Sequence, residues 1–131
     1  MKSKREILTI KEIENLVDSF YAKVREDSSL GPIFKNQIGD NWDQHLDKMY
    51  RFWQTVLLNE HTYSGSPFAP HARLPIGKDH FDRWLGLFHE TIDENFTGAK
   101  AEEAKWRAVK MAEMFQYKIN HIRSAKGQSI L

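Results

Sequence analysis

The stretch that most constrains this chain is Tyr63-Ser64-Gly65-Ser66-Pro67-Phe68-Ala69-Pro70-His71-Ala72-Arg73-Leu74-Pro75, the longest break in an otherwise helical sequence. Proline fixes its own φ and offers no backbone N–H, so this loop samples fewer conformations than an ordinary one. A side chain it carries can be held in one place. His71 lies between Pro70 and Pro75, and a neutral imidazole is the commonest side-chain ligand for a metal ion. A lone loop histidine is more often solvated and without a role. The stiff setting, and the lack of any cysteine that could ligate instead, weigh against that plainer reading.

The rest of the chain reads as helices. Thr9 with Glu12 forms a capping box, and Ile10, Ile13, Leu16, Val17, Phe20, Tyr21 and Val24 follow at helical spacing. That helix is expected to end before Gly31-Pro32, with Pro32-Ile33-Phe34 as a short turn that plugs the core. A second helix should start near Asp40 or Asn41 and run out at Asn59-Glu60, its stripe formed by Trp42, Leu46, Met49, Phe52, Trp53, Val56 and Leu57. His45 sits at the edge of that stripe. The proline loop has room for one helical turn, near Phe68 to Arg73. Asp79 is placed to cap a third helix that buries Phe81, Trp84, Leu85, Phe88 and Ile92. The fourth, from Ala101 to Arg123, carries Ala101, Ala104, Ala108 and Ala112, small enough to let a neighbouring helix approach closely. Residues 1–8 and 124–131 are expected to fray. The fold class is therefore all-α, one domain over residues 1–131, with four main helices. The long central loop argues against a simple up-down bundle.

Composition narrows the function. The chain has 131 residues, 40% of them hydrophobic, and no apolar run of about 18 residues that could span a membrane. The absence of cysteine excludes disulfides, iron–sulfur clusters and thiolate zinc sites. A net charge of +1 points to neither nucleic acid nor an anionic membrane as partner. The basic start, Met1-Lys2-Ser3-Lys4-Arg5, leads into a charged amphipathic segment rather than a secretory core, so a cytoplasmic location is expected. Six histidines, and 12% aromatic residues with four tryptophans, exceed what a small helical core needs. They could line a pocket for a large flat ligand.

Four stretches together resemble a known family. They are Phe20-Tyr21-Ala22-Lys23-Val24-Arg25 with Leu30-Gly31-Pro32-Ile33-Phe34; Trp42-Asp43-Gln44-His45 with Phe52-Trp53; Tyr63-Ser64-Gly65-Ser66-Pro67 ahead of His71; and His80-Phe81-Asp82-Arg83-Trp84-Leu85. In this order and spacing the chain resembles the truncated haemoglobins, specifically their third group, over about Leu16 to Phe115. The resemblance implies a two-over-two helical sandwich around haem b, with His71 as the proximal iron ligand. It further implies Tyr21 and Trp84 as distal hydrogen-bond donors, His45 at the distal gate and Phe34 on the haem edge. Periodicity alone does not separate Trp84 from Trp42, Trp53 and Trp106, each of which has equal claim to plain packing. His45 is open to three readings: a helix-surface residue, a donor to ligand, or a swinging gate, which its place at the stripe edge favours. Met49, Tyr63 and Arg73 are further candidate haem contacts, with Arg73 or Lys48 as cations for a propionate, and His80 within reach by proximity alone.

Two donors beside a polarised diatomic ligand predict slow release, which suits binding of dioxygen, nitric oxide, carbon monoxide or peroxide better than bulk oxygen delivery. The alternative is an enzyme, a nitric oxide dioxygenase or a peroxidase, which needs a separate reductase or a reducing substrate. A reading of another class is a helical interaction module without cofactor. A non-haem carboxylate site loses its main support, since no histidine follows a glutamate at the Glu-x-x-His spacing.

Overall fold

Thr9 opens the first helix as its spacing predicts. Its hydroxyl accepts the Lys11 N–H, and the Glu12 carboxylate accepts the Thr9 N–H at 2.9 Å. In the computed structural model, which describes residues 3–72 and 74–130 with side chains up to residue 124, this helix is α1 (Ile10–Glu26). Asp27 then turns the chain. Its carboxylate accepts the N–H groups of Ser29 and Leu30 at 3.0 and 2.9 Å, and its carbonyl accepts that of Gly31 at 2.8 Å.

Those donors belong to the first turn of α2 (Leu30–Ile38), where the sequence predicted only a short turn at Pro32. Pro32 falls third in the helix, among positions whose N–H has no partner inside the helix, so its missing donor costs nothing there. Gly31 is buried where α2 crosses the end of α1; a Cβ on it would stand 2.8 Å from the Arg25 carbonyl oxygen. Arg83 Nε donates to Asp27 at 2.6 Å and so ties this corner to a later helix.

The second predicted helix is α3 (Trp42–Leu58), ended by Asn59 at φ 59°, a left-handed cap conformation that asparagine tolerates. The third is α4 (Lys78–Asn95). Its N-cap is Gly77 rather than Asp79: His80 Nδ1 accepts the Gly77 N–H at 3.1 Å, while Asp79 lies inside the first turn, at the positive end of the dipole. The last helix, α5 (Ala99–Ile130), starts at Gly98 with φ 97° and continues past Arg123.

α1 packs on α3, α4 packs on α5, and α1 on α4 joins the two pairs. Phe88, 1% exposed, sits where they meet. Trp53 and Trp84 each stack on its ring, at 5.1 and 5.5 Å, with Phe20 edge-on at 5.2 Å. Ala101, Ala104, Ala108 and Ala112 are all buried, so the backbone of α5 can approach α4 closely. Trp106 departs from the packing role open to it, being 55% exposed. The segment before α1, expected to fray, is also tied down. Arg5 N–H donates to Asn95 O, Thr97 N–H donates to Arg5 O, and Ile7 is fully buried. No helix among the described residues is long and apolar enough to cross a membrane.

The corner at Asp27 generates a stability prediction. Burial alone would raise the carboxyl pKa, but the Leu30 N–H, Arg83 and the Ser29 N–H outweigh it and hold the group below its usual value. Its contribution is therefore present above the ordinary pKa of 3.8 and lost as pH falls through the lower folded value. Asp27→Ala should destabilise by about 1–3 kcal/mol at neutral pH, and the gap from wild type in urea midpoint should narrow in strong acid. Gly31→Ala should cost about 1–3 kcal/mol at every pH, because its clash is steric.

Candidate functional site

His71 ends a single 3₁₀ turn, Ala69–His71, in the loop between α3 and α4. Both ends of the loop are fastened. Where it leaves α3, Thr55 Oγ1 accepts the N–H groups of Thr62 and Tyr63 at 3.1 and 3.0 Å. Where it approaches α4, Arg123 of α5 donates to the Ile76 carbonyl at 3.0 Å. In the middle the rings of Phe68 and His71 lie on Phe115 of α5, at 5.4 and 4.8 Å, and the Lys118 ammonium sits 5.1 Å from the Phe68 ring centre. The prolines limit the loop's conformations, and α5 selects the one it adopts.

The His71 ring is oriented by its own loop. Nδ1 lies 2.7 Å from the Pro67 carbonyl oxygen. A carbonyl can only accept, so Nδ1 carries the proton and donates, and the neutral ring keeps its lone pair on Nε2. Burial pushes the His71 pKa down against the opposing pull of the Pro67 carbonyl, so the ring stays neutral. A neutral imidazole with its second nitrogen held is what ligation of a metal requires.

His45 on α3 meets Tyr21, Trp42 and Phe34 edge-on, at 4.9, 5.8 and 6.5 Å. Its Nε2 is buried and has no hydrogen-bond partner. Burial pushes its pKa down to about 4, with His71 when protonated and the Lys48 charge adding to the effect, so the two imidazoles lie within electrostatic reach of each other. The Tyr21 side chain is buried and burial pushes its phenol pKa up, which keeps the O–H as a donor. Trp84 on α4 is half-buried and edge-on to Phe20 at 5.4 Å, and Phe20 touches Tyr21 at 4.9 Å. Tyr21, His45 and Phe34 thus share one aromatic cluster, and Trp84 joins it through Phe20.

The remaining candidates divide. Met49, one turn beyond His45 on α3, is half-buried against the core. Tyr63 packs on Phe52 at 5.5 Å. Lys48 is exposed, and Arg73 lies outside the described residues. His80 uses Nδ1 to cap α4. Three further residues belong to the site. Trp42 walls His45, one helical turn away on the same face, a spacing visible in the sequence. Pro67 supplies the acceptor for His71, four residues away. Phe115 left no sequence signal, because its partners lie far off in the chain.

A cavity of about 740 Å³ opens beside the turn that carries His71, lined by Gln37, Phe68, Ala69, Pro70, Ala72 and Leu74, with neither His71 itself nor Tyr21, His45, Phe34 or Trp84 in its lining. That is within the roughly 300–1,000 Å³ of pockets that hold large ligands. Among the described residues no three His, Cys, Asp or Glu side chains gather to hold a bare metal ion. A single oriented imidazole, aromatic walls and an orphaned nitrogen on His45 fit a metal carried in a flat macrocycle.

Comparison with known proteins agrees. A family model of bacterial-like globins matches residues 7–118. A group 3 truncated haemoglobin of Campylobacter jejuni is 37% identical over 117 residues, which cover 86% of this chain and 92% of that one. The chain belongs to the group III truncated haemoglobins. The crystal structure of group III truncated haemoglobin from Campylobacter jejuni matches this truncated haemoglobin with a TM-score of 0.82 and 36% identity, over 89% of this chain and 95% of that one. The two-over-two arrangement of α1, α3, α4 and α5 is the truncated globin fold. Membership implies haem as the cofactor and small gaseous molecules as ligands.

The enclosure of His45 sets a pH dependence. In the haem-free chain, folded His45 refuses a proton that the unfolded chain accepts below the ordinary value of 6.5. Unfolding free energy should therefore fall as pH drops from 6.5 toward 4, with His71 acting in the same direction. His45→Phe should flatten part of that slope in urea titrations. An unchanged slope would show the imidazole open to water.

Proposed function

We propose that this truncated haemoglobin binds dioxygen and related diatomic ligands reversibly on haem b held by His71. The observation that carries the reading is the pairing of His71, with Nδ1 committed to Pro67 and Nε2 free, against the buried and unpartnered Nε2 of His45. Haem, when bound, supplies an iron that takes up a diatomic ligand and shifts electron density onto it. The chain has no cysteine for thioether attachment, which favours non-covalent haem b.

Each residue then has a part derived from its own chemistry. Pro67 holds the proton on His71 Nδ1. Tyr21 and Trp84 offer an O–H and an N–H to the negative charge of a bound ligand, and burial keeps Tyr21 away from competing water. His45, neutral at ordinary pH, offers a further polar nitrogen and stands as the gate between pocket and solvent. Phe34 and Met49 supply apolar walls, and Tyr63 belongs to the loop on the proximal side. Slow release follows from the donors, so the protein holds its ligand rather than delivering it in bulk. The same donors suit turnover of nitric oxide or peroxide, with a separate reductase as electron source and a cytoplasmic setting.

The test is the absorption spectrum of the purified protein, reduced and exposed to carbon monoxide, beside His71→Ala. An intense Soret band that shifts with carbon monoxide and is lost or weakened in the variant is the expected result. Wild type that takes up no haem supplied in excess would refute the reading. Tyr21→Phe and Trp84→Phe should each speed dioxygen release by roughly 5- to 30-fold, the equivalent of about 1–2 kcal/mol per hydrogen bond to a charged acceptor.

A further inference from the structure

The outward face of α5 has no role in the pocket. Among the described residues the large apolar side chains left most exposed are Leu8, Trp106, Met114 and Tyr117, and the last three lie on this helix, Trp106 at 55% and Tyr117 at 73%. At about 100° of turn per residue, Trp106, Lys110, Glu113 and Tyr117 fall within a sector of roughly 60°. The buried stripe of Ala104, Ala108, Ala112 and Phe115 lies on the opposite side. A body that docks on the outward face therefore meets no other helix of the same chain.

The order of residues on this face identifies the body. Trp106 and Tyr117 are equidistant from the Met111–Ala112 peptide bond. So are Lys110 and Glu113, and so are Glu102 and His121. A second copy of α5 laid antiparallel across the first, with a two-fold axis at that bond, brings each residue level with its counterpart. Every counterpart is of complementary type: aromatic with aromatic, cation with anion, carboxylate with imidazole. A parallel copy in register would set like charge against like. In the single chain Lys110 and Glu113 make only a loose contact at 3.7 Å, with side chains 55% and 61% exposed, so both are free to pair across the axis.

We propose that this chain forms a two-fold homodimer through α5, with Trp106 of each copy against Tyr117 of the other and Lys110 against Glu113. Tryptophan, tyrosine and methionine are enriched in such contacts, and closed two-fold dimers are the commonest assembly. The contact from Glu102 to His121 is about 30 Å long at 1.5 Å per residue. One helix pair is a small interface, so the dimer is of the weak, reversible class. The inference stands apart from the haem reading and holds whatever ligand the pocket takes.

Sedimentation velocity on the whole haem-loaded chain, from micromolar to sub-millimolar concentration, tests it. Wild type should move from monomer to dimer mass across that range, and Trp106→Ala should weaken association by roughly tenfold or more. Lys110→Glu gathers four carboxylates at the axis and Glu113→Lys four ammonium groups, so each alone should abolish the dimer. The double exchange Lys110→Glu with Glu113→Lys should restore it. Circular dichroism and the Soret band report folding in every variant. Wild type that stays monomeric throughout overturns the proposal, and a different protein then becomes the occupant of the face. A dimer that survives either single reversal, or one that the double exchange fails to restore, overturns it as well.

Discussion

The pocket depends on how one loop is pressed against one helix. Among its described residues the segment between α3 and α4 contains no regular structure beyond the turn Ala69–His71, yet it carries the residue that the site is built on. Ordering such a segment costs about 1–2 kcal/mol of backbone entropy per residue. Prolines reduce that cost by restricting the unfolded chain. What remains is met by Phe68 and His71 on Phe115, by Arg123 on the Ile76 carbonyl, and by Thr55 at the α3 end. Through these contacts the position of His71 is inherited from α5, while the position of His45 is inherited from α3 and its packing on α1.

Two buried imidazole nitrogens depart from the rule that the rest of the structure obeys. Buried donors and acceptors such as Thr91 and Asp27 have partners, and among the described residues the exceptions are the Nε2 atoms of His45 and of His89 on α4. At His45 a nitrogen is enclosed without one, at a cost of about 1–3 kcal/mol. The stacked rings of Trp53, Phe88 and Trp84, with Phe20 across their edge, form a core firm enough to tolerate it. At His45, unlike His89, the defect lies among the rings of Tyr21, Phe34 and Trp42, which suits a place kept for a ligand.

The same physics explains where local patterns misled. Pro32 carries the right chemistry for a helix stop, but a stop depends on whether the missing N–H was needed, and Asp27 had already satisfied the donors ahead of it. Asp79 is a good capping residue displaced two positions inward, because His80 reached back to the Gly77 N–H first. The segment around Arg5 and Ile7 looked like a loose end because its partners, Asn95 and Thr97, lie at the far side of the sequence. In each case the competing group was not visible in a local window.

By itself the sequence determined four of the five helices among the described residues, α2 excepted, with their buried faces and the stiff loop with its histidine. These rest on periodicity, capping spacing and proline geometry, which act over a few residues and need no knowledge of the fold. The motif order from Phe20 to Trp84 also carried the family and, by resemblance, the roles of Tyr21, His45, His71 and Trp84. Only the tertiary structure decided which tautomer His71 adopts, which aromatic residues wall His45, and that Trp106 faces out while Trp53 and Trp84 close on Phe88. Those outcomes depend on contacts between residues far apart in the chain, set by the joint packing of α1, α3, α4 and α5.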